Sequence, residues 1–81
     1  MNMKPITPVE ILKQEFMLPM NIGNKKLMDL CEYDNEYISN VLFQNEPITS
    51  QFSIILSSIF GTSKEFWIEL QYSYDKRVKA A

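Results

Sequence analysis

Apolar residues recur at helical spacing along the chain, in five runs separated by capping residues and helix breakers. The first run follows Thr7-Pro8-Val9-Glu10, where an N-cap threonine, a proline at N1 and a glutamate at N3 form a capping box. Ile11, Leu12, Glu15 and Phe16 continue it, and Leu18-Pro19 stops it because proline disfavours the α conformation of the residue before it. This predicts a helix over residues 8–17. Asn24 is expected to cap a second helix over 24–31 carrying Leu27, Met28, Leu30 and Cys31. Asp34 is expected to cap a third over 35–43, with Ile38, Val41 and Leu42 facing inward. Thr49 caps a fourth over 50–60, whose stripe is Phe52, Ile55, Leu56 and Ile59, and Gly61 supplies the stop. Thr62-Ser63-Lys64-Glu65 reads as a second capping box, opening a fifth helix over 63–78 with Phe66, Trp67, Leu70, Tyr74 and Val78.

The pattern predicts an all-α, single-domain chain over residues 1–81. Two or three residues separate the second and third helices, a joint that forces a steep crossing and matches the helix-turn-helix motif. Five short helices outline a repressor-like bundle, though other small helical folds share that outline. A chain of 81 residues has one core, and 46% apolar residues, ten of them aromatic (five Phe, four Tyr, one Trp), are enough to fill it. No apolar run approaches the ~20 residues that span a bilayer. The start, Met1-Asn2-Met3-Lys4-Pro5, lacks the apolar stretch of a secretion signal, so a cytoplasmic protein without membrane attachment is expected.

Candidate chemistry narrows the function classes further. Histidine is absent, which removes the commonest general base and metal ligand. Cys31 is the lone cysteine, so it forms no internal disulfide and lacks partners for a thiolate zinc site; it reads as a small core residue. Gly23 and Gly61 alone cannot make a phosphate loop, and the carboxylates lack metal-binding spacing. No enzyme activity, metal or cofactor is expected.

Net charge is −2, and its distribution matters more than the sum. Between Leu27 and Ser63 there is no Lys or Arg, whereas Asp29, Glu32, Asp34, Glu36 and Glu46 give that span 0 − 5 = −5. Lys25 and Lys26, in the first turn of the second helix, are the cations next to it, available to phosphates or simply solvated.

Two stretches carry a family resemblance. Pro5-Ile6-Thr7-Pro8-x-Glu10-Ile11-Leu12-x-x-Glu15-Phe16 resembles the opening of the HigA/VapI group of antitoxins. Gly61-Thr62-Ser63-x-Glu65-Phe66-Trp67-x-x-Leu70-Gln71-x-x-Tyr74-Asp75 resembles its closing helix, and Pro47-Ile48-Thr49 its link into the fourth helix. The likeness runs ungapped from about Pro5 to Asp75. It implies a lambda-repressor-like fold and a homodimeric antitoxin that binds an RNA-cleaving HigB-type toxin and represses its own operon. The middle departs from the pattern: Met28 stands where a small residue is usual, Glu32 where a turn glycine is usual, and Gln44-Asn45 where Gly-Lys follows the reading helix. Met28 would crowd the helix crossing, and Glu32 must accept positive φ at about 1 kcal/mol or use another turn.

Two function classes therefore stand side by side. In the first, a homodimeric regulator contacts operator DNA through Lys25, Lys26, Asn35, Glu36, Ser39, Asn40 and Asn45. The outward residues of helix three would reach base edges, asparagine pairing with adenine and Glu36 accepting from cytosine. In the second, a protein-only module on the same scaffold offers Asp29, Glu32, Asp34 and Glu36 to a basic partner, such as a ribonuclease-like toxin. Polar exposed helices are also ordinary for any folded domain. Tyr37 and Phe43 either pack at the core margin or anchor such a partner. Phe66 and Leu70 are expected to face the monomer core. Trp67, Leu70 and Tyr74 repeat every three to four residues; the stripe either faces that core or, through Trp67 and Tyr74, meets a second copy across a two-fold axis. Lys76, Arg77 and Lys79 read as a solvated basic tail.

Overall fold

The computed structural model describes residues 6–80, in which helices are the regular elements. Expectations resting on Met1–Pro5 fall outside the described residues. The chain opens with α1 (Pro8–Ile11), capped as anticipated: Glu10 N donates to Thr7 Oγ1 at 3.1 Å, and Thr7 N donates to Glu10 Oε1 at 3.4 Å. It does not stay α-helical. Residues Leu12–Met17 widen into a π-helical segment, closed by Leu18 N donating to Lys13 O at 2.9 Å. The wider turn lets Leu12 and Met17, five positions apart, both be buried with Phe16 beside them. In a regular α-helix that spacing would turn them to different faces.

The remaining helices are α2 (Asn24–Cys31), α3 (Asn35–Gln44), α4 (Ser50–Phe60) and α5 (Lys64–Ala80). Asp34 caps α3 through Glu36 N and Tyr37 N, at 3.0 and 3.2 Å. Thr49 caps α4 through Phe52 N at 3.2 Å, and Gly61 ends it at φ 71°. Two caps differ from expectation. Gly23, not Asn24, is the N-cap of α2, because burial of Ile22 fixes the chain one residue earlier and leaves Asn24 inside the first turn. At α5 it is Ser63 that accepts, from Phe66 N at 3.1 Å, while Thr62 Oγ1 accepts from Trp67 Nε1 at 2.7 Å; Glu65 is not part of a box.

Leu12, Leu27, Ile38, Val41, Phe52, Leu56 and Trp67 have no exposed surface and come from the π-helical segment and from each of α2 to α5. Phe16 sits among Phe60, Phe66 and Trp67, with ring centroids 5.4, 5.8 and 5.0 Å away. Each fully buried side chain of this size contributes about 1.5–3 kcal/mol of transfer free energy. The inward set of α3 is as predicted; in α4 Phe52 and Leu56 are buried, Ile55 and Ile59 are half-buried against the core, and Ser53, not anticipated, is buried with its Oγ donating to Thr49 O at 2.9 Å. In α2, Leu30 instead faces solvent, because Leu27 and Cys31 already fill the inward stripe of this short helix.

Candidate nucleic-acid interface

The joint between α2 and α3 is the three-residue turn Glu32–Asp34. Glu32 ends α2 in the left-handed conformation (φ 47°, ψ 49°), its N donating to Met28 O at 3.3 Å. A position that suits glycine is thus occupied by a residue with a Cβ, at a cost of about 1 kcal/mol. Met28 is half-buried and packed against the core, its unbranched, flexible thioether able to adapt to the space beside the helix crossing. The turn survives both exchanges.

Beyond it, α3 divides cleanly. Ile38, Val41 and Leu42 are buried, while Asn35, Glu36, Phe43 and Gln44 are exposed and Ser39 and Asn40 are half-exposed. Glu36, Asn40 and Phe43 follow at i, i+4 and i+7 and so share one stripe. Asn45 ends the helix at φ 56°, a conformation asparagine tolerates better than most residues, and it is exposed.

Lys25 and Lys26 are exposed in the first turn of α2, which begins without a side-chain cap or an acidic residue. Unpaired N–H groups and two ammonium groups therefore share one helix end, where the helix dipole favours an anion. Asp29, Glu32 and Glu36 are exposed around the turn. Asp34 is exposed too, but one of its oxygens is committed to the α3 cap.

The segment after α3 is held from two sides. Tyr37 Oη donates to Pro47 O at 2.7 Å and accepts from Thr49 N at 3.0 Å. From α5, Gln71 Oε1 accepts from Ile48 N at 2.9 Å, and Gln71 Nε2 donates to Asp75 Oδ1 at 2.9 Å. Tyr37, stacked edge-on against Phe52 at 5.3 Å, is a core-margin residue. Phe43 is not, at 62% exposed.

One residue of this surface escaped the sequence reading. Lys13 Nζ donates to Leu42 O at 2.7 Å and lies 5.7 Å from the Phe43 ring centroid. It brings a cation to the end of α3, inside a span that has none of its own. No signal in the sequence pointed there, since the contact joins positions 29 apart, Lys13 lying in the π-helical segment.

No family model matches the chain. Over 75 residues it is 31% identical to an uncharacterised HTH-type transcriptional regulator of Haemophilus influenzae, covering 93% of this chain and 70% of that one. Over 72 residues it is 32% identical to antitoxin HigA-1 of Vibrio cholerae, covering 89% and 68%. The chain belongs to the HigA-type family of helix-turn-helix antitoxins and regulators. Solved members superpose closely. The Pseudomonas aeruginosa antitoxin HigA with the higBA promoter matches at TM-score 0.85 and 28% identity, over 93% of this chain and 82% of that one. A P. aeruginosa protein in complex with its 18-bp operator DNA matches at 0.86 and 28%, over 96% and 84%. Antitoxin GraA matches at 0.85 and 30%, over 95% and 83%. These HigA-type relatives are antitoxins and transcription regulators rather than enzymes.

Against the family's outline, one interface expectation needs correcting. Trp67 has no exposed surface and donates its indole N–H to Thr62, so it belongs to the monomer core and leaves nothing for a second copy. Phe66, expected inward, is instead at the exposed rim of the same aromatic cluster. Leu70 and Tyr74 are half-buried, and Val78 extends their i+4 stripe onto open surface.

Proposed function

We propose that this HigA-type chain binds an operator upstream of its own gene as a homodimer and neutralises a basic, ribonuclease-like toxin in the cytoplasm. The observation that carries the DNA reading is the exposed polar stripe of α3 beside the uncapped, lysine-bearing start of α2. In a helix-turn-helix the first helix crosses the phosphate backbone while the second enters the major groove. Lys25 and Lys26 then meet phosphates. Asn35, Ser39 and Asn40 face base edges, with asparagine suited to adenine, and Glu36 suits a cytosine amine; Asn45 lies at the groove edge. Solved relatives of the same fold held on promoter or operator DNA support a DNA-binding role.

Pairing of two copies through Leu70, Tyr74 and Val78 of α5 would give the two-fold symmetry that operator half-sites require. For the toxin, the exposed acids Asp29, Glu32 and Glu36 provide a negative field that steers a basic partner. A duplex from the upstream region, titrated by fluorescence anisotropy across a salt series, tests the DNA reading. Sequence-specific binding that weakens steeply with salt supports it, since each displaced counterion lowers the log–log slope by about 0.9. A flat response at low salt refutes it.

A second reading, a protein-only module, is favoured by the lack of any Lys or Arg between Leu27 and Ser63. Charge reversal at Asp29 and Glu32, exposed acids to which the DNA reading gives no base contact, separates the two. Gained DNA affinity means that repulsion was limiting, whereas lost partner binding places the partner on those acids. Asp34 is left out of that test because its reversal would also uncap α3.

A further inference from the structure

We infer that Phe43 is a specificity-determining contact of α3, an apolar reader of a thymine methyl group at the far end of the recognition stripe. The inference rests on the operator reading and deepens it. Phe43 is 62% exposed, shares its stripe with Glu36 and Asn40, and is absent from the packed core. It stands seven residues beyond Glu36, about 10 Å along the axis at 1.5 Å per residue. The Lys13 ammonium lies over one face of the ring, and the rest of the ring is exposed at the end of a polar stripe, where its apolar area is available to a partner. In the major groove thymine alone among the bases presents a methyl group, and phenylalanine is one of the side chains that contacts it.

The Lys13 ammonium sets the charge next to the ring. Anchored on Leu42 O at 2.7 Å, it lies 5.7 Å from the ring centroid, so the ring is flanked by a fixed positive charge. At the ring that charge favours a polyanion over a basic protein, against the exposed Glu46 just past the helix end, while Asp29, Glu32 and Glu36 lie towards the opposite end of α3. The ring and the cation together suit a methyl group in the groove with a phosphate at its edge.

Anisotropy titrations of the full chain against the upstream duplex test this, one duplex carrying thymine and one carrying deoxyuridine at every thymine position. Loss of one methyl contact is worth about fourfold in affinity per half-site, and about fifteenfold for two symmetric half-sites. The wild-type protein is expected to lose that much on the uracil duplex. Phe43→Ala is expected to bind the thymine duplex correspondingly less well and to ignore the exchange, while Phe43→Leu retains part of the discrimination. Circular dichroism of both variants should match wild type, the residue being mostly solvent-exposed. Full thymine-duplex affinity in Phe43→Ala overturns the inference, as does a uracil penalty equal to that of wild type, while leaving the operator reading intact. Loss of affinity for a basic protein partner with DNA binding unchanged reassigns the ring to that partner and also overturns it. Failure of the wild-type protein to bind either duplex removes the operator reading itself, and this inference with it.

Discussion

The ammonium of Lys13 donates to the carbonyl of Leu42 at 2.7 Å, joining the first helix to the last turn of α3. A cation at a helix C-terminus is favourable both as a hydrogen-bond donor to an otherwise orphaned carbonyl and as a partner to the helix dipole. It also places positive charge beside the surface that a polyanion would touch.

Lys13→Met keeps the aliphatic stem and removes the charge. Unfolding in urea should show a loss of about 1 kcal/mol, the usual worth of such a bond in a partly solvated setting. In DNA titrations the log–log salt slope should become shallower by up to about 0.9 if the ammonium also meets a phosphate.

The five helices, their order and most of their caps were legible from spacing, because caps and apolar stripes are local signals. Thr7, Asp34, Thr49 and Gly61 occupy the roles their types suggest. What failed depended on contacts between distant parts of the chain. The π-helical widening at Leu12–Met17 accompanies the burial of Leu12 and Met17 with Phe16 packed beside them, and no local propensity announces it. Trp67 was ambiguous because a helical stripe does not reveal which wall of the bundle it meets; Thr62, five residues earlier, supplied the acceptor that allows full burial. The polar stripe of α3 was readable, but the position of Lys13 beside it was not.

Glu32 holds a left-handed backbone at φ 47°. Glu32→Gly should therefore raise stability by up to about 1 kcal/mol, while Glu32→Ala, which removes the charge and keeps the strain, should not. Chemical denaturation of the two variants side by side checks this. If both gain equally, charge rather than backbone conformation sets the cost.

Trp67→Ala should remove about 3–5 kcal/mol, enough to unfold much of a domain this small. If two copies pair through α5 as proposed, Tyr74→Glu, on its half-buried stripe, should leave helicity intact and yield monomers in sedimentation where wild type is dimeric. A Tyr74→Glu variant that remains dimeric moves the self-association surface off this stripe.

Burial pushes the Cys31 thiol from 9.0 up to about 11. The folded state therefore holds the proton more tightly than the unfolded state. Its contribution to stability is complete below about pH 9 and is lost as pH rises towards about 11. Comparing wild type with Cys31→Ala cancels the lysines and tyrosines that titrate in the same range. The difference in unfolding free energy should fall only within that window, and a constant difference would place the thiol in contact with water.

The proposed DNA-docking surface is the α2–α3 corner, with α3 outward. An NMR titration of labelled protein with the upstream duplex tests it residue by residue. Shift changes should concentrate at Lys25, Lys26, Asn35, Glu36, Ser39, Asn40, Phe43 and Asn45. Changes confined to α1 or to the distal half of α5, with α3 silent, would contradict it.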